Sequence, residues 1–433
     1  MTLTPTAATI FSYQVGFGDC FLLRFHYPDR ARHVLIDFGT TGIPETEESD
    51  LMVRVAQDIA EKCGGALEAV VATHRHADHI SGFATKADGT GSGDIIATLK
   101  VGTVVQPWTE APDAEQASLG PVVSSDTRSL AARQQSLQAM HETAALAVAM
   151  VESKALKKAP PETKAQIEFI GRDNVKNLSA VENLMRMGTN NVYAYHGSKS
   201  GLEDALPGVE TIVLGPPTLR QTETIRKQRS RDPDEFWQFA LKGMAADKSF
   251  SEGGDEHRLF PGHPTVSGGK LPMEVRWIAG RLLEGRSAQA LGMVTALDDQ
   301  MNNTSLILLM ETGGKKLLFP GDAQIENWRY ALSKPEIVAL LADVDLYKVG
   351  HHGSLNATPK TVWNGFAKKG PPEKGGRLTT LMSTMPGKHG SEKSRTEVPR
   401  QTLLEELKSK SELHSTHLLA PGILYEEVEI SFE

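Results

Sequence analysis

Two cysteines in 433 residues, Cys20 and Cys63, supply neither a disulfide framework nor a thiolate pair at zinc-binding spacing. Both read as small buried side chains, and a reducing cytoplasm is the simplest setting for such a chain. No apolar run approaches the roughly 18 residues that a membrane helix needs. The longest candidates, Ala144 to Val151 and Leu306 to Met310, are far too short. The opening Met1-Thr2-Leu3-Thr4-Pro5 lacks the basic start and apolar core of a signal peptide. Basic excess is missing too: 46 Lys and Arg stand against 54 Asp and Glu, a formal charge of −8. That balance argues against a general nucleic-acid binder, although it leaves room for a local basic groove. Hydrophobic residues at 39% and charged residues at 23% suit a globular chain with its own core.

What the chain does have is concentrated in seven residues, Thr73-His74-Arg75-His76-Ala77-Asp78-His79. Four metal-competent side chains fall within six positions, directly after the apolar run Leu67-Glu68-Ala69-Val70-Val71-Ala72. Such a run reads as a buried strand, and the turn after it can aim several side chains at one point. Imidazole nitrogens bind zinc at about 2.0–2.1 Å and carboxylates at about 2.0–2.2 Å, so one or two ions fit among them. A histidine-rich polar loop is the bland alternative, and the density of ligands weighs against it.

The rest of the chain reads as strands and helices in alternation. Strands are expected at Ile10 to Val15, Phe21 to Phe25 and His33 to Phe38, then a helix from Glu47 to Cys63 closed by Gly64-Gly65. Val101 to Val105 reads as a short strand, 123–157 as one long helix, and 179–187 as another. Residues 84–190 together read as a helical insertion. A second insertion is expected at 218–295. It carries Arg220, Arg226, Lys227, Arg229 and Arg231 followed by Asp232, Asp234 and Glu235, the pattern of a solvated, ion-paired face. A loop is expected at 252–271 and a helix from Arg276 to Glu284. The first expectation is an α/β architecture, and a single domain over 1–433 if His74 and His352 share one site.

The motif H-x-H-x-D-H resembles the signature of the metallo-β-lactamase-fold hydrolases. Other blocks resemble that family in order and form: Val15-Gly16-Phe17-Gly18-Asp19-Cys20, His33 to Gly39, Asn302 to Leu306, Leu317 to Ala323, and Asp345 to Ser354. They are most similar to the branch that contains the soluble hydrolase domain of the DNA-internalisation competence proteins. The matched blocks cover roughly the first 85 residues and most of 296–433; the middle third has no counterpart.

The resemblance implies a four-layer αββα sandwich with a dinuclear centre. His74 and His76 would hold one ion, Asp78 and His79 the other, with Asp322 bridging and His352 completing the second set. His351 is implied as a neighbouring proton donor, and Asp37 as an orienting group. A histidine usually found between the first motif and the bridging aspartate has no clear equivalent. His196 is one substitute, and His263 in Pro261-Gly262-His263 another. Zinc is the default ion for mixed His and Asp ligation, with manganese the competitor. Two ions about 3.5–4 Å apart would acidify a shared water and steady both oxygens of a phosphodiester displacement. The leading expectation is therefore a phosphodiesterase acting on nucleic acid or a nucleotide. Lys348 or His351 would assist the leaving group, and Asn303, Thr304 and Ser354 would bind phosphate. Hydrolysis of carboxylic esters, lactones, thioesters or amides is the alternative, and a non-catalytic metal-binding interaction protein a third. No membrane partner is implied.

Overall fold

The computed structural model describes residues 3–111, 178–222, 304–354, 358–389 and 397–432. The chain divides into two units, one made of Met1–Leu137, Lys176–Ile225 and Gln300–Glu433, the other of Gln138–Val175 and Arg226–Asp299. The second lies wholly outside the described residues. So do the helices expected at 123–157 and 276–284, the loop at 252–271, the basic stretch 226–231, His263 and Asn303.

The first unit is a mixed α/β fold built on two sheets. One contains β1 (Ala7–Tyr13), β2 (Cys20–His26), β3 (Ala31–Phe38), β4 (Ala66–Val71), β5 (Lys100–Pro107), β6 (Gly188–Ala194) and β13 (Tyr425–Ser431). Its spatial order is β13-β1-β2-β3-β4-β5-β6. The other contains β7 (Glu210–Gly215), β8 (Ile307–Thr312), β9 (Lys315–Phe319), β10 (Leu346–Lys348), β11 (Thr379–Met382) and β12 (Glu412–Ser415), in the order β12-β11-β10-β9-β8-β7. Each sheet is antiparallel on one side and parallel on the other. The parallel runs are β3 through β6 and β9 through β12.

Both faces of the central strands are apolar because both are covered. In β2, Phe21, Leu23 and Phe25 join one core cluster while Cys20 and Leu22 join another. In β8 and the residue before it, Leu306, Leu308 and Met310 share the first cluster, and Ile307 and Leu309 turn to a third. The first cluster thus draws on both sheets. The second adds α1 (Leu51–Cys63), α3 (Ser92–Ala97) and α4 (Leu178–Met187). The third adds α5 (Ile325–Leu332), α6 (Pro335–Ala342), α7 (Lys360–Gly365) and α8 (Gln401–Lys410).

Sequence and structure differ at several boundaries. Helix α1 begins at Leu51, not Glu47, and buries Leu51, Val55, Ala56, Ile59 and Cys63 at helical spacing. Glu47 stays outside it, 3.2 Å from Arg54 and accepting the Gly422 N–H at 2.6 Å. The span 84–190, expected as a helical insertion, contains one strand of the first sheet and the start of another. Strand β5 pairs in parallel with β4, and β6 in parallel with β5, so 100–107 and 188–194 belong to the sheet. Strand β6 hides in the sequence because Gly188-Thr189-Asn190-Asn191 is polar, as suits an edge strand with part of its surface exposed.

The outermost strands on the other side, β12 and β13, are tied by His414 Nδ1 and Glu426 Oε1 at 2.6 Å. The hydrogen bond to Glu426 raises the His414 pKa against the opposing effect of burial. A raised folded value gives stability that is complete below the unfolded value of about 6.5 and fades as pH climbs through the folded one. His414→Gln should therefore cost about 0.5–1 kcal/mol in urea unfolding below about pH 6 and little near about pH 9. An equal cost at both pH values would reject this charge account.

Candidate metal centre

Strand β4 keeps its ladder one residue past its end, through the Ala72 N–H to Val105 O at 3.0 Å. The chain then turns across the ends of the strands. His76 is extended and caps α2 (Ala77–Ile80), the short helix that carries Asp78 and His79. Two glycines let neighbouring loops press on this turn. A Cβ on Gly39 would lie 2.4 Å from both Ala77 O and His79 N. Gly321 has φ +53°, and its Cβ would meet the Thr73 side chain at 2.7 Å. No other residue type fits either place without moving backbone or a packed side chain.

Two further turns arrive from the second sheet. Asp322 follows β9 through Pro320 and Gly321, and His351 and His352 follow β10 through Val349 and Gly350. The three non-glycine residues with positive φ among the described residues are Asp37 (55°), His351 (41°) and His352 (51°). All three lie at this one place. Such backbone costs about 1–3 kcal/mol per residue and gathers at functional sites.

The side chains fall into overlapping ligand sets. Asp78, His79, Asp322 and His352 form one, and His74, His76 and Asp78 form a second, with potential ligand atoms in each within 4.8 Å of one another. All six residues are buried. Asp78 belongs to both sets. Asp322 Oδ2 is 3.1 Å from His79 Nε2 and 3.7 Å from His352 Nε2, and Asp78 Oδ2 is 2.9 Å from His352 Nε2. His74 Nε2 and His76 Nδ1 are 3.0 Å apart.

Partners behind the rings orient them. Asp37 Oδ2 accepts from His79 Nδ1 at 2.8 Å and from the Thr73 hydroxyl at 2.7 Å, while Oδ1 accepts the Thr73 N–H at 2.7 Å. His352 Nδ1 donates to Ser383 O at 3.1 Å. These bonds leave Nε2 of both imidazoles facing the carboxylates, the arrangement that metal-ligating histidines use.

Electrostatics separates the two sets. Burial, with His79 and His76 beside it, holds His74 well below its usual range, and burial brings His76 down to about 4. Both are neutral and ready to ligate. Burial opposes charge on His79 and His352 as well, but Asp322, Asp37 and Asp78 around the first and Asp19, Asp322 and Asp78 around the second raise both. Asp78 and Asp322 move down in return, overcoming their own burial.

Asp78 Oδ1, His79 Nε2 and Asp322 Oδ2 are buried without a hydrogen-bond partner. Buried polar atoms are nearly always hydrogen-bonded, and this trio is held by charge alone, with His79 Nε2 3.1 Å from Asp322 Oδ2, which leaves room for a further partner. The donor set is nitrogen and carboxylate oxygen, which a zinc or manganese ion fits.

The other expected site residues behave differently. His196 joins neither set: its Nδ1 donates to Leu214 O at 2.8 Å and its ring stands edge-on to Tyr330 at 4.8 Å. Its backbone bond to Pro216 O ties it to the β7 turn. His351 joins neither set through its ring, but its backbone N–H donates to Asp322 Oδ1 at 2.9 Å. Burial keeps that imidazole neutral, and its Nδ1 is buried without a hydrogen-bond partner. It can therefore accept a proton, or donate one hydrogen bond, more readily than act as a resting acid.

Three contributors carry no role in the sequence reading. Asp19 is fully buried behind the rings, 3.7 Å from His79 Nδ1 and 3.5 Å from His352 Nδ1. Phe17 lies between two imidazoles, with ring centroids 4.4 Å from His352 and 4.3 Å from His389. Burial lowers His389 to about 4. The one sequence signal was an aspartate between Gly18 and the first residue of an apolar strand.

Comparison with protein-family models finds no match, and comparison with curated proteins finds none either.

Proposed function

We propose that the described unit is a four-layer αββα sandwich of the metallo-β-lactamase kind, and that it is a dinuclear metal-dependent phosphodiesterase acting on nucleic acid or a nucleotide. The observation that carries this reading is the pair of buried ligand sets sharing Asp78, built from turns of both sheets. The three core clusters, one drawing on both sheets and two on a sheet with its helices, support the layered architecture.

Divalent ions held there, zinc or manganese, would supply Lewis acidity toward a phosphoryl oxygen and an acidified water. The chain's own groups do the rest. Asp37 and Ser383 O hold His79 and His352 with Nε2 turned inward. Asp322, steadied through Oδ1, keeps Oδ2 at the second set. His74 and His76 stay neutral, so the first set needs no proton loss to act. His351 stands beside Asp322 as the group to hydrogen-bond a leaving oxygen or take up a proton.

Protein loaded with Zn²⁺ or Mn²⁺ should hydrolyse a chromogenic phosphodiester, and metal-stripped protein should not. Turnover of a chromogenic carboxylic ester with none of the phosphodiester would transfer the reading to the ester class. Protein that contains metal and turns over neither would overturn a catalytic role.

A further inference from the structure

Lys348, the last residue of β10, is 2% exposed, an unusual place for a lysine unless its charge is matched. Its ammonium has three donors and meets three acceptors: Asp19 Oδ2 at close range, Gly321 O at 3.2 Å and Asp322 Oδ1 at 3.3 Å. The three acceptors come from the turn before β2 and the turn after β9. The lysine therefore joins elements of both sheets behind the candidate centre.

The geometry divides the labour of Asp322 between its two oxygens. Oδ1 accepts from Lys348 and from the His351 N–H, which occupies its lone pairs. Oδ2 has no hydrogen-bond partner and faces His79 and His352. A carboxylate anchored at one oxygen has a single orientation, so the other oxygen is always offered to the same point. Asp19, Asp37 and His79 form a further group of ligand-type atoms. All three members are already engaged: Asp19 by Lys348, and Asp37 and His79 Nδ1 by each other.

We propose that Lys348 is the built-in cation of this centre: a positioning residue that takes the place of an ion beside Asp19 and turns Oδ2 of Asp322 toward the Asp78–His79–Asp322–His352 set. This rests on the two-ion reading above. Its consequence is selective. Losing the ammonium leaves Oδ1 of Asp322 held by the His351 N–H alone and takes from Asp19 its nearest counter-charge, so the set containing Asp322 suffers. The His74–His76–Asp78 set, which Lys348 does not touch, does not.

The test is Zn²⁺ titration of metal-stripped full-length protein against a chromophoric chelator, with metal content measured after dialysis, for wild type and Lys348→Met. Circular dichroism reports folding, and Lys348→Gln serves if the methionine variant does not fold. The wild type should bind two ions. The variant should keep one at wild-type affinity and bind the other about 10–100-fold more weakly, the usual size of an effect on a group behind a ligand. Two ions bound with unchanged affinity would overturn the role of Lys348 while leaving the two-ion reading intact. Equal weakening of both ions would also overturn it, as general structural damage. A wild type that binds fewer than two ions would bring down the two-ion reading and this inference together.

Discussion

Asp322→Asn is expected to abolish metal-dependent phosphodiester turnover. The argument lies in which atom the substitution places where. Oδ1 of Asp322 accepts from the His351 N–H and from Lys348, so an asparagine keeps its carbonyl oxygen there and turns its amide NH₂ toward His79 and His352. That group donates and cannot ligate. The variant removes a ligand atom and a charge from the Asp78–His79–Asp322–His352 set without changing size. Losing a group behind a ligand already costs about 10–100-fold, so kcat/KM should fall by at least about 100-fold. Steady-state kinetics with metal content measured on the same samples decides it. A variant that retains two ions and more than about a tenth of wild-type turnover would sink the site assignment.

Removing the ions should cost the protein much of its stability. An ion that binds the folded state alone stabilises it by about 2.7 kcal/mol when its free concentration is about 100 times Kd, and two sets double the effect. The metal-free centre also keeps Asp19, Asp37, Asp78 and Asp322 buried close together, with Lys348 and the histidines as their counter-charges among the described residues. Chelator-treated protein should therefore melt several degrees below protein given back Zn²⁺, and Asp322→Asn should show a smaller gap. Coincident melting curves with and without metal would mean that these clusters hold no ion of structural weight.

Much of the fold was legible because its strands are short, apolar and bounded by turn residues. The runs 21–25, 33–38, 67–72 and 101–105 each lie inside a strand or overrun it by a residue. Helix 179–187 matches α4 within a residue. Where reading failed, tertiary context replaced local pattern. Strand β6 is polar and becomes a strand by pairing with β5. Glu47 to Asp50 resembles a helix start, yet Glu47 is drawn to Arg54 and Gly422.

The candidate centre divides in the same way. His74, His76, Asp78 and His79 could be picked out because one turn carries them all, and spacing within a turn nearly fixes distance in space. Asp322 and His352 could be nominated only through the family resemblance, at turns that follow apolar strands. His196 shows the limit of nomination alone, since its ring joins neither ligand set. Phe17, His389 and the orienting work of Lys348 were not legible at all, and Asp19 only as an aspartate ahead of an apolar strand.

By itself, then, the sequence determined the local facts: which segments alternate, where strands end, and that one turn is crowded with metal-competent side chains. Only the tertiary structure decided that His352 meets Asp78 across 274 positions, that Asp78 serves both sets, and that Lys348 sits between Asp19 and Asp322. The physical reason is range. Periodicity and turn chemistry act over a few residues, whereas a buried charge finds its partners only when two sheets close over a shared core and bring their strand ends together.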